Sequence, residues 1–376
     1  MLRPFRVPTR VLMAPGCIER LPEIVAGYAP QRVLMVTDHG IEETGWPERV
    51  WRALAEREIE AITFDDVEPN PRASTVDRLA EWGREEGASL VLGLGGGSVL
   101  DAAKAAAMVI ANGGSAADYE GRDRYENPPL PFLAVPTTCG TGSEVTWVSV
   151  LTVEERQAKI SVKGETMYPA WALVDAELLR TLPARQVAWT GVDALTHAVE
   201  AFTCRLANPI SDALAATAAS LLFHYLRRAV ADIAGDDEAR EAVMRASTLA
   251  GLAFGNADVA AVHCLSETLG GRWDLPHGLA NAVLLEPVTR YNLAACATKL
   301  ATLESALPPG SGAGAGGVLR AVEELVRDLG IPHFRELGIS AEDYPWIAER
   351  AALNGSNPSN PREMGPAEYL ELLESL

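Results

Sequence analysis

The sequence predicts an α/β domain followed by an all-α helical domain. The chain has 376 residues, more than a single hydrophobic core usually serves, so two domains are expected. In the first half, short apolar segments alternate with amphipathic helical segments, which is typical of a parallel sheet. From about Pro183 the strand pattern ends and long Ala- and Leu-rich helical segments follow. The predicted domains are therefore residues 1–182 and 183–376.

Individual elements follow from the same patterns. Buried strands are predicted at residues 32–37, 61–64, 90–94 and 132–135. Amphipathic helices are predicted at residues 74–86 and 98–111 in the first half, and at 191–204, 211–233 and 239–254 in the second. The Gly- and Pro-rich segment 308–317 is predicted to be a loop between helices, because helical periodicity resumes at Val318.

Composition and charge exclude several classes of protein. The net charge of -19 argues against affinity for nucleic acid or for anionic membranes. The longest apolar stretches, such as residues 105–111, are far shorter than the roughly twenty residues of a membrane span. The N-terminus lacks the apolar core of a signal peptide, so a cytoplasmic protein is expected. The five cysteines include no CxxC pair, which argues against a disulfide framework and a cysteine-based zinc site.

A glycine-rich turn between a strand and a helix is the first candidate binding element. Residues 91–104 read VLGLGGGSVLDAAK, in which the helix is predicted to open at Ser98. Glycines allow a pyrophosphate to approach the backbone, and a helix N-terminus favours negative charge. Ser98 stands where a Rossmann GxGxxG motif has its last glycine, so a simple tight turn remains an alternative.

Two further features favour a nucleotide at the same end of the predicted sheet. The segment 136–146, PTTCGTGSEVT, follows a predicted strand, and its hydroxyl side chains alternate with glycines. This suits a loop that hydrogen-bonds a polar ligand, the alternative being a polar surface loop. Asp38 follows the first strong strand, where an acid binds ribose hydroxyls and repels the extra phosphate of NADP. An isolated Asp at such a position is otherwise a helix cap.

The histidines of the second half predict a metal site. His197 follows Asp193 by four residues, so both project from one face of a helix whose apolar positions face a core. His263 and His277 lie fourteen residues apart, and a break at Leu269–Gly270–Gly271 is predicted to fold the second back toward the first. Three imidazoles and a carboxylate suit Fe(II) or zinc. The alternative for the first pair is a plain Asp–His hydrogen bond. His224 is predicted to be a core or capping residue.

These motifs together resemble the iron-containing (group III) alcohol dehydrogenases. GGGSVLDAAK, PTTCGTGSEVT, GVDALTHAVEA and PHGLANA each resemble a family block, in the family's order, and so does Asn360–Pro361–Arg362. The resemblance implies the dehydroquinate synthase-like fold of that family, with an N-terminal dinucleotide-binding α/β domain, a C-terminal helical domain and the site in the cleft between them. It also implies a homodimer or a larger homo-oligomer acting on a small alcohol or aldehyde.

The resemblance implies roles for individual residues. The metal ligands are Asp193, His197, His263 and His277. The residues implied to bind NAD are Asp38, Gly95, Gly96, Gly97, Ser98, Asp101, Thr137, Thr138, Thr141, Thr146, Lys159 and Leu178. The predicted catalytic residues are Asp193 and His277 and, at a position where the chain departs from the family pattern, Glu267. In the implied mechanism, hydride passes between the nicotinamide and a carbonyl carbon whose oxygen the metal polarises.

The chain departs from the family pattern at two positions. Many members carry a second histidine four residues after the third ligand, where this sequence has Glu267. That carboxylate is interpreted first as a proton relay or a support for the ligands, with an extra metal ligand or a salt bridge to Arg272 as alternatives. Trp147 is bulkier than expected and is predicted to narrow the nicotinamide end of the site. Because of these two departures, the sequence does not identify the substrate.

The sequence is also compatible with three alternative functions. A reductase of an anionic aldehyde or keto acid, of the phosphonoacetaldehyde or maleylacetate type, requires a cationic pocket, for which Arg272 is a candidate. A dehydroquinate synthase-like lyase shares the fold and uses NAD transiently. A non-catalytic binding protein on this fold is the third alternative, because a fold alone does not establish function.

Overall fold

The structure, a computed structural model, describes residues 4–376. These residues divide into two compact units, Val7–Leu182 and Pro183–Leu376. Arg6 belongs with the second unit, where its backbone N–H donates a hydrogen bond to Asn256 Oδ1 at 2.6 Å. The first three residues of the predicted domain 1–182 lie outside the described residues.

The first unit is built on a parallel sheet. Its strands are β1 (Arg10–Met13), β2 (Val33–Val36), β3 (Ala61–Phe64), β4 (Leu90–Gly95), β5 (Gly121–Arg122), β6 (Phe132–Pro136), β7 (Val148–Val153), β8 (Ala158–Lys163) and β9 (Trp171–Val174). Its helices are α1 (Leu21–Ala26), α2 (His39–Glu42), α3 (Trp46–Ala55), α4 (Ala73–Glu85) and α5 (Gly97–Asn112). Six strands pair in parallel in the order β1-β9-β6-β4-β2-β3, and β5, β8 and β7 form a second, smaller sheet.

Strands β2 and β4 are buried along their whole length, as expected for a parallel sheet covered on both faces. Successive residues of β2 point to opposite faces. Leu34 and Val36 join one hydrophobic cluster, whereas Val33 and Met35 join the cluster on the other side. The predicted strands correspond to β2, β3, β4 and β6, whereas β1, β5, β9 and the β7–β8 hairpin were not predicted.

The second unit is helical. It consists of α6 (Ala184–Thr203), α7 (Pro209–Ala231), α8 (Asp237–Gly255), α9 (Ala261–Trp273), α10 (His277–Ala301), α11 (Gly314–Asp328), α12 (Tyr344–Leu353) and α13 (Pro366–Ser375). The predicted combination of an N-terminal α/β part and a C-terminal helical part is thus confirmed. Helix α6 begins earlier than predicted, and α11 already begins within the segment predicted to be a loop.

Two predictions about the helical unit are wrong. There is no break at Leu269–Gly270–Gly271, because α9 continues to Trp273. A glycine costs a helix roughly 1 kcal/mol, and burial of Leu269 and Gly270 offsets that cost. The chain instead turns after Trp273, at Asp274 with φ 53°, and α10 starts at His277. His224 is exposed on α7, not in the core, and its Nδ1 lies 2.7 Å from the Ser220 carbonyl oxygen.

Among the described helices, none is both long enough and apolar enough to cross a membrane.

Candidate metal centre and cofactor loops

Three helices bring the four predicted metal ligands together. Asp193 and His197 lie one turn apart on α6, His263 lies in the first turn of α9, and His277 begins α10. Each offers one ligand atom, and these atoms all lie within 4.8 Å of one another. The first three residues are buried and His277 is half-buried. The sequence spacing predicted the pair on α6, but only the packing of α6, α9 and α10 completes the set.

The geometry of the four side chains fits a bound cation. His197 Nε2 and His263 Nε2 face each other at 3.0 Å. Asn281 Nδ2 lies 2.6 Å from Asp193 Oδ1 and 3.1 Å from the Nε2 atoms of both His263 and His277. An amide has two hydrogens and cannot donate to all three atoms at once, whereas a single metal ion accepts all of them as ligands. One carboxylate and three imidazoles suit Fe(II) or zinc.

Charges within the cluster balance each other. Burial by itself raises the pKa of Asp193, but the surrounding imidazoles of His197, His277 and His263 hold that pKa below its ordinary value. Burial likewise opposes protonation of His263, yet the Glu200 carboxylate raises the pKa of this imidazole above its ordinary value. The site is thus a buried arrangement in which negative and positive charge compensate locally.

Two residues of this centre were not predicted from the sequence. Glu200 on α6 binds His263 Nδ1 at 2.6 Å, and Asn281 on α10 contacts three of the four ligands. Glu200 follows Asp193 by seven residues, and Asn281 follows His277 by four. These spacings place each residue on the ligand-bearing face of its helix. The helix spacing that predicted His197 therefore places Glu200 and Asn281 on the correct faces, but their contacts depend on how α6, α9 and α10 pack.

Glu267 lies one turn after His263 on α9 but is not among the four clustered ligands. Its Oε2 accepts a hydrogen bond from Asn354 Nδ2 at 2.6 Å. The alternative of a salt bridge between Glu267 and Arg272 is wrong. Arg272 pairs with Asp343 at 2.8 Å, and its guanidinium lies over the rings of Trp273 and Trp346.

The glycine turn (residues 95–98) and the Thr-rich loop (residues 136–146) meet in the α/β unit. Gly95 ends β4, Gly96 is the residue before α5, and Gly97 and Ser98 open that helix. A Cβ on Gly96 would lie 2.9 Å from Thr138 Cγ2, and one on Gly97 would lie 2.9 Å from Thr141 Oγ1. The two loops therefore pack so closely that neither glycine can carry a side chain without displacing the Thr-rich loop. Binding of a pyrophosphate at the start of α5 stays a prediction.

Asp101 and Lys104 of α5 connect the helix to the end of the Thr-rich loop. The Asp101 carboxylate accepts hydrogen bonds from Ser143 Oγ at 2.6 Å and from Val150 N at 2.9 Å. Lys104 Nζ donates to Ser143 Oγ at 2.8 Å and to the Val148 carbonyl at 2.7 Å. Asp101 and Lys104 thus both fix the position of the loop. Lys104 is buried and was not predicted as a site residue.

The other predicted cofactor residues occupy several surroundings. Asp38 follows β2, and its side chain caps α2 by accepting from Ile41 N at 3.0 Å. Lys159 on β8 donates to Asn70 Oδ1 at 2.7 Å. Leu178 is buried in the core cluster beneath the sheet. Thr137 and Thr146 are buried at the two ends of the Thr-rich loop. Contact of these residues with NAD stays a prediction.

Comparison with known proteins identifies the family. Residues 8–176 match the model of the iron-containing alcohol dehydrogenases, and residues 187–376 match the model of the C-terminal part of the Fe-containing alcohol dehydrogenase family. The chain is 37% identical to 1,3-propanediol dehydrogenase of Citrobacter freundii over 98% of this chain and 97% of that protein.

Solved structures agree with this result. A crystal structure of 1,3-propanediol oxidoreductase superposes with a TM-score of 0.95 at 37% identity, covering 100% of both chains. Sulfoacetaldehyde reductase from Bifidobacterium kashiwanohense, solved in complex with NAD+, has a TM-score of 0.90 at 30% identity and covers 100% of this chain and 99% of that one. The chain therefore belongs to the iron-containing alcohol dehydrogenase family, whose members use NAD(H) and iron, and it is an NAD-linked alcohol/aldehyde oxidoreductase.

Proposed function

We propose that this chain is a metal-dependent dehydrogenase that interconverts a small neutral alcohol and its aldehyde. The observation that carries the proposal is the convergence of Asp193, His197, His263 and His277 on one point within the helical unit. Fe(II) is the proposed ion, with zinc as the alternative. When bound, the ion supplies a Lewis acid for the substrate oxygen, and NAD(H) supplies or accepts the hydride.

Three side chains are proposed to set the charge of the site, to exclude water and to transfer the proton. Asp193 contributes the single negative charge among the four ligands, so the site retains a net positive charge toward a substrate oxygen when a divalent ion is present. Phe254 stacks on the His197 ring with centroids 4.3 Å apart, which keeps water away from that ligand. Glu267, one turn after His263, is the proposed group that moves a proton to or from the substrate oxygen.

A neutral substrate is favoured because Arg272, the cation that the sequence suggested for binding an anion, is already engaged. Arg272 pairs with Asp343 and lies over two tryptophan rings, so using it to bind an anion would require breaking these contacts. The similarity to sulfoacetaldehyde reductase is the specific observation that favours the second candidate, a reductase of an anionic aldehyde.

The test is NADH oxidation by the Fe(II)-reconstituted enzyme under anaerobic conditions, with butanal and 3-hydroxypropanal compared with sulfoacetaldehyde and succinic semialdehyde. Turnover of the neutral aldehydes that is lost on chelation supports the proposal. The Asp193→Asn variant is the control, with at least 100-fold lower turnover expected. Preference for the anionic aldehydes would favour the second candidate, and no turnover despite bound metal would contradict both.

NAD rather than NADP is the proposed cofactor, because the Asp38 carboxylate repels a 2′-phosphate. Asp38→Gly removes both this charge and the cap of α2, whereas Asp38→Asn keeps a capping side chain. We expect both variants to raise the ratio of kcat/KM for NADPH to that for NADH. An unchanged ratio in both variants would rule out this role for Asp38.

We further propose a homodimer or larger homo-oligomer. Strand β1 is at the edge of the six-stranded sheet, and Val11 and Met13 on its surface are each 37% exposed. An open strand edge with apolar side chains is suited to pairing with a second copy. Light scattering after gel filtration should give at least twice the chain mass of 40.1 kDa, and a Val11→Lys/Met13→Lys variant should reduce it.

A cytoplasmic location is also proposed. Cys17, Cys139, Cys204, Cys264 and Cys296 are all free and buried, as is usual in a reducing compartment. Cell fractionation with antibody detection tests this location.

A further inference from the structure

Helix α9 obtains the cap of its N-terminus from a distant residue. The first turn of a helix leaves backbone N–H groups without partners, and Ala260, the residue before α9, has no side chain that can accept them. Glu200 on α6 accepts from Ala260 N at 2.9 Å through Oε2 and from Val262 N at 2.7 Å through Oε1. The carboxylate therefore joins α6 to the start of α9.

The same carboxylate binds the metal ligand of α9. Glu200 Oε2 lies 2.6 Å from His263 Nδ1. A carboxylate only accepts, so His263 carries its hydrogen on Nδ1, and the lone pair of Nε2 is left toward the ligand cluster. His263 Nε2 lies 3.0 Å from His197 Nε2 on that side. The hydrogen bond thus selects both the tautomer and the direction of the ring.

Besides the two backbone N–H groups at the start of α9, the Glu200 carboxylate has one charged partner within residues 4–376. Its side chain is 5% exposed, and among the described residues its one ion-pair partner is His263. The two backbone N–H groups hold the carboxylate in place, and neither carries a full charge. The positive charge that Glu200 stabilises therefore lies on the imidazole side, toward the proposed metal.

From these contacts we propose that Glu200 is the positioning residue for the metal site, and that it sets metal affinity through His263. This inference rests on the proposed metal-dependent function. A carboxylate on the far nitrogen of a metal-bound imidazole raises its strength as a ligand, and loss of such a partner typically weakens metal binding about 10- to 100-fold. Glu200 itself is not one of the four clustered residues.

The test measures metal affinity in Glu200→Gln and Glu200→Asp. Gln keeps the size of the side chain but turns an N–H₂ group toward one of the donors, and Asp keeps the charge on a shorter side chain. Zn²⁺ and Co²⁺ dissociation constants are measured by competition with a coloured chelator, and the Co²⁺ absorption band is recorded. We expect Glu200→Gln to raise both dissociation constants about 10- to 100-fold and to shift the band, with partial recovery in Glu200→Asp.

Asn360→Ala is the matched control for a purely structural role. Asn360 Oδ1 accepts from Ala261 N at 3.3 Å, so it caps the same helix without touching His263. We expect this variant to lower the unfolding temperature of the metal-free protein while leaving metal affinity and the Co²⁺ band unchanged. If Glu200→Gln behaves in the same way, Glu200 is only a helix cap and the inference is wrong.

The outcomes separate this inference from the proposed function. If the unaltered protein binds neither ion, the metal-dependent function itself fails. If the unaltered protein binds metal and both Glu200 variants bind it equally tightly, only the inference fails. Should Glu200→Gln not fold, Glu200→Asp decides, because restored folding with unchanged affinity equally contradicts the inference.

Discussion

At the scale of single residues, Glu267 is the carboxylate that we propose as the proton-transfer group. One turn of α9 separates it from His263, and its Oε2 accepts a hydrogen bond from Asn354 Nδ2. Among the described residues no arginine or lysine pairs with Glu267. A carboxylate in this position can exchange a proton with substrate or with solvent, which is the role we propose for it.

Replacing Glu267 by Gln is expected to lower kcat for aldehyde reduction about 100-fold, the usual effect of losing a positioned acid or base. KM and bound metal should change little, since the amide has the same size. Steady-state kinetics and metal analysis check this expectation. Asn354→Ala is the matched control, because it removes the hydrogen bond but leaves the carboxylate. An equal loss of kcat in both variants would show that Glu267 serves only to hold Asn354.

At the scale of elements, α5 and the Thr-rich loop act as one structure. Lys104 is 1% exposed and donates to Ser143 in the loop and to Val148 at the start of β7, while Asp101 binds the loop through Ser143. Burial lowers the pKa of Lys104 to about 8, with Asp101 and Glu144 opposing the shift. Keeping the buried Lys104 ammonium charged therefore lowers the free energy of unfolding of the chain.

This lysine predicts a pH dependence of folding. Its pKa is about 8 in the folded chain and 10.5 for an unburied lysine, so the unfolded chain binds the proton more tightly. The contribution of Lys104 to stability should therefore rise between about pH 8 and pH 10.5, with a slope of up to about 1.4 kcal/mol per pH unit. Below pH 8 it should be constant.

Urea unfolding of the unaltered protein and of Lys104→Met across pH 7–10.5 measures this contribution. The difference in unfolding free energy between the two should increase over the upper part of this range. Lys163→Met on β8 is the control for general effects of removing a lysine. A difference for Lys104→Met that stays flat with pH would show that the buried lysine titrates normally.

At the scale of the whole molecule, the proposed metal site joins α6 to two helices that lie more than fifty residues later in the chain. Its ligands come from α6, α9 and α10, all in the helical unit. An ion bound there stabilises the folded chain by about 2.7 kcal/mol when its free concentration is 100 times its dissociation constant. The α/β unit contributes none of the four ligands.

Removal of the metal is therefore expected to act unevenly on the two units. Chelation should lower the unfolding temperature and increase hydrogen exchange in the first turns of α9 and α10 and around His197 in α6. Exchange in the central strands β2 and β4 should stay unchanged. Mass spectrometry of exchanged peptides with and without chelator measures this. An equal increase in hydrogen exchange in both units, or unchanged exchange in α9, would show that the ion does not hold these helices together.

The sequence by itself predicted the fold class, the strands β2, β3, β4 and β6, and the pair Asp193 and His197 as candidate metal ligands, because periodicity and spacing are local properties of the chain. Asp193 and His197 follow from helix geometry, and the glycine turn follows from its place between a strand and a helix. The family resemblance, confirmed by the comparisons, supplied the rest of the ligand set.

Only the tertiary structure decided which residues support that site. Glu200 reaches His263 across two helices, Asn281 lies among the ligands, and Lys104 crosses to Ser143. Helix α9 also continues through Gly270 and Gly271, where local propensity predicts a break, because tertiary packing stabilises it there. The physical reason is that such contacts join residues far apart in the chain, so their energies depend on how helices and strands pack, which the local pattern of the sequence does not contain.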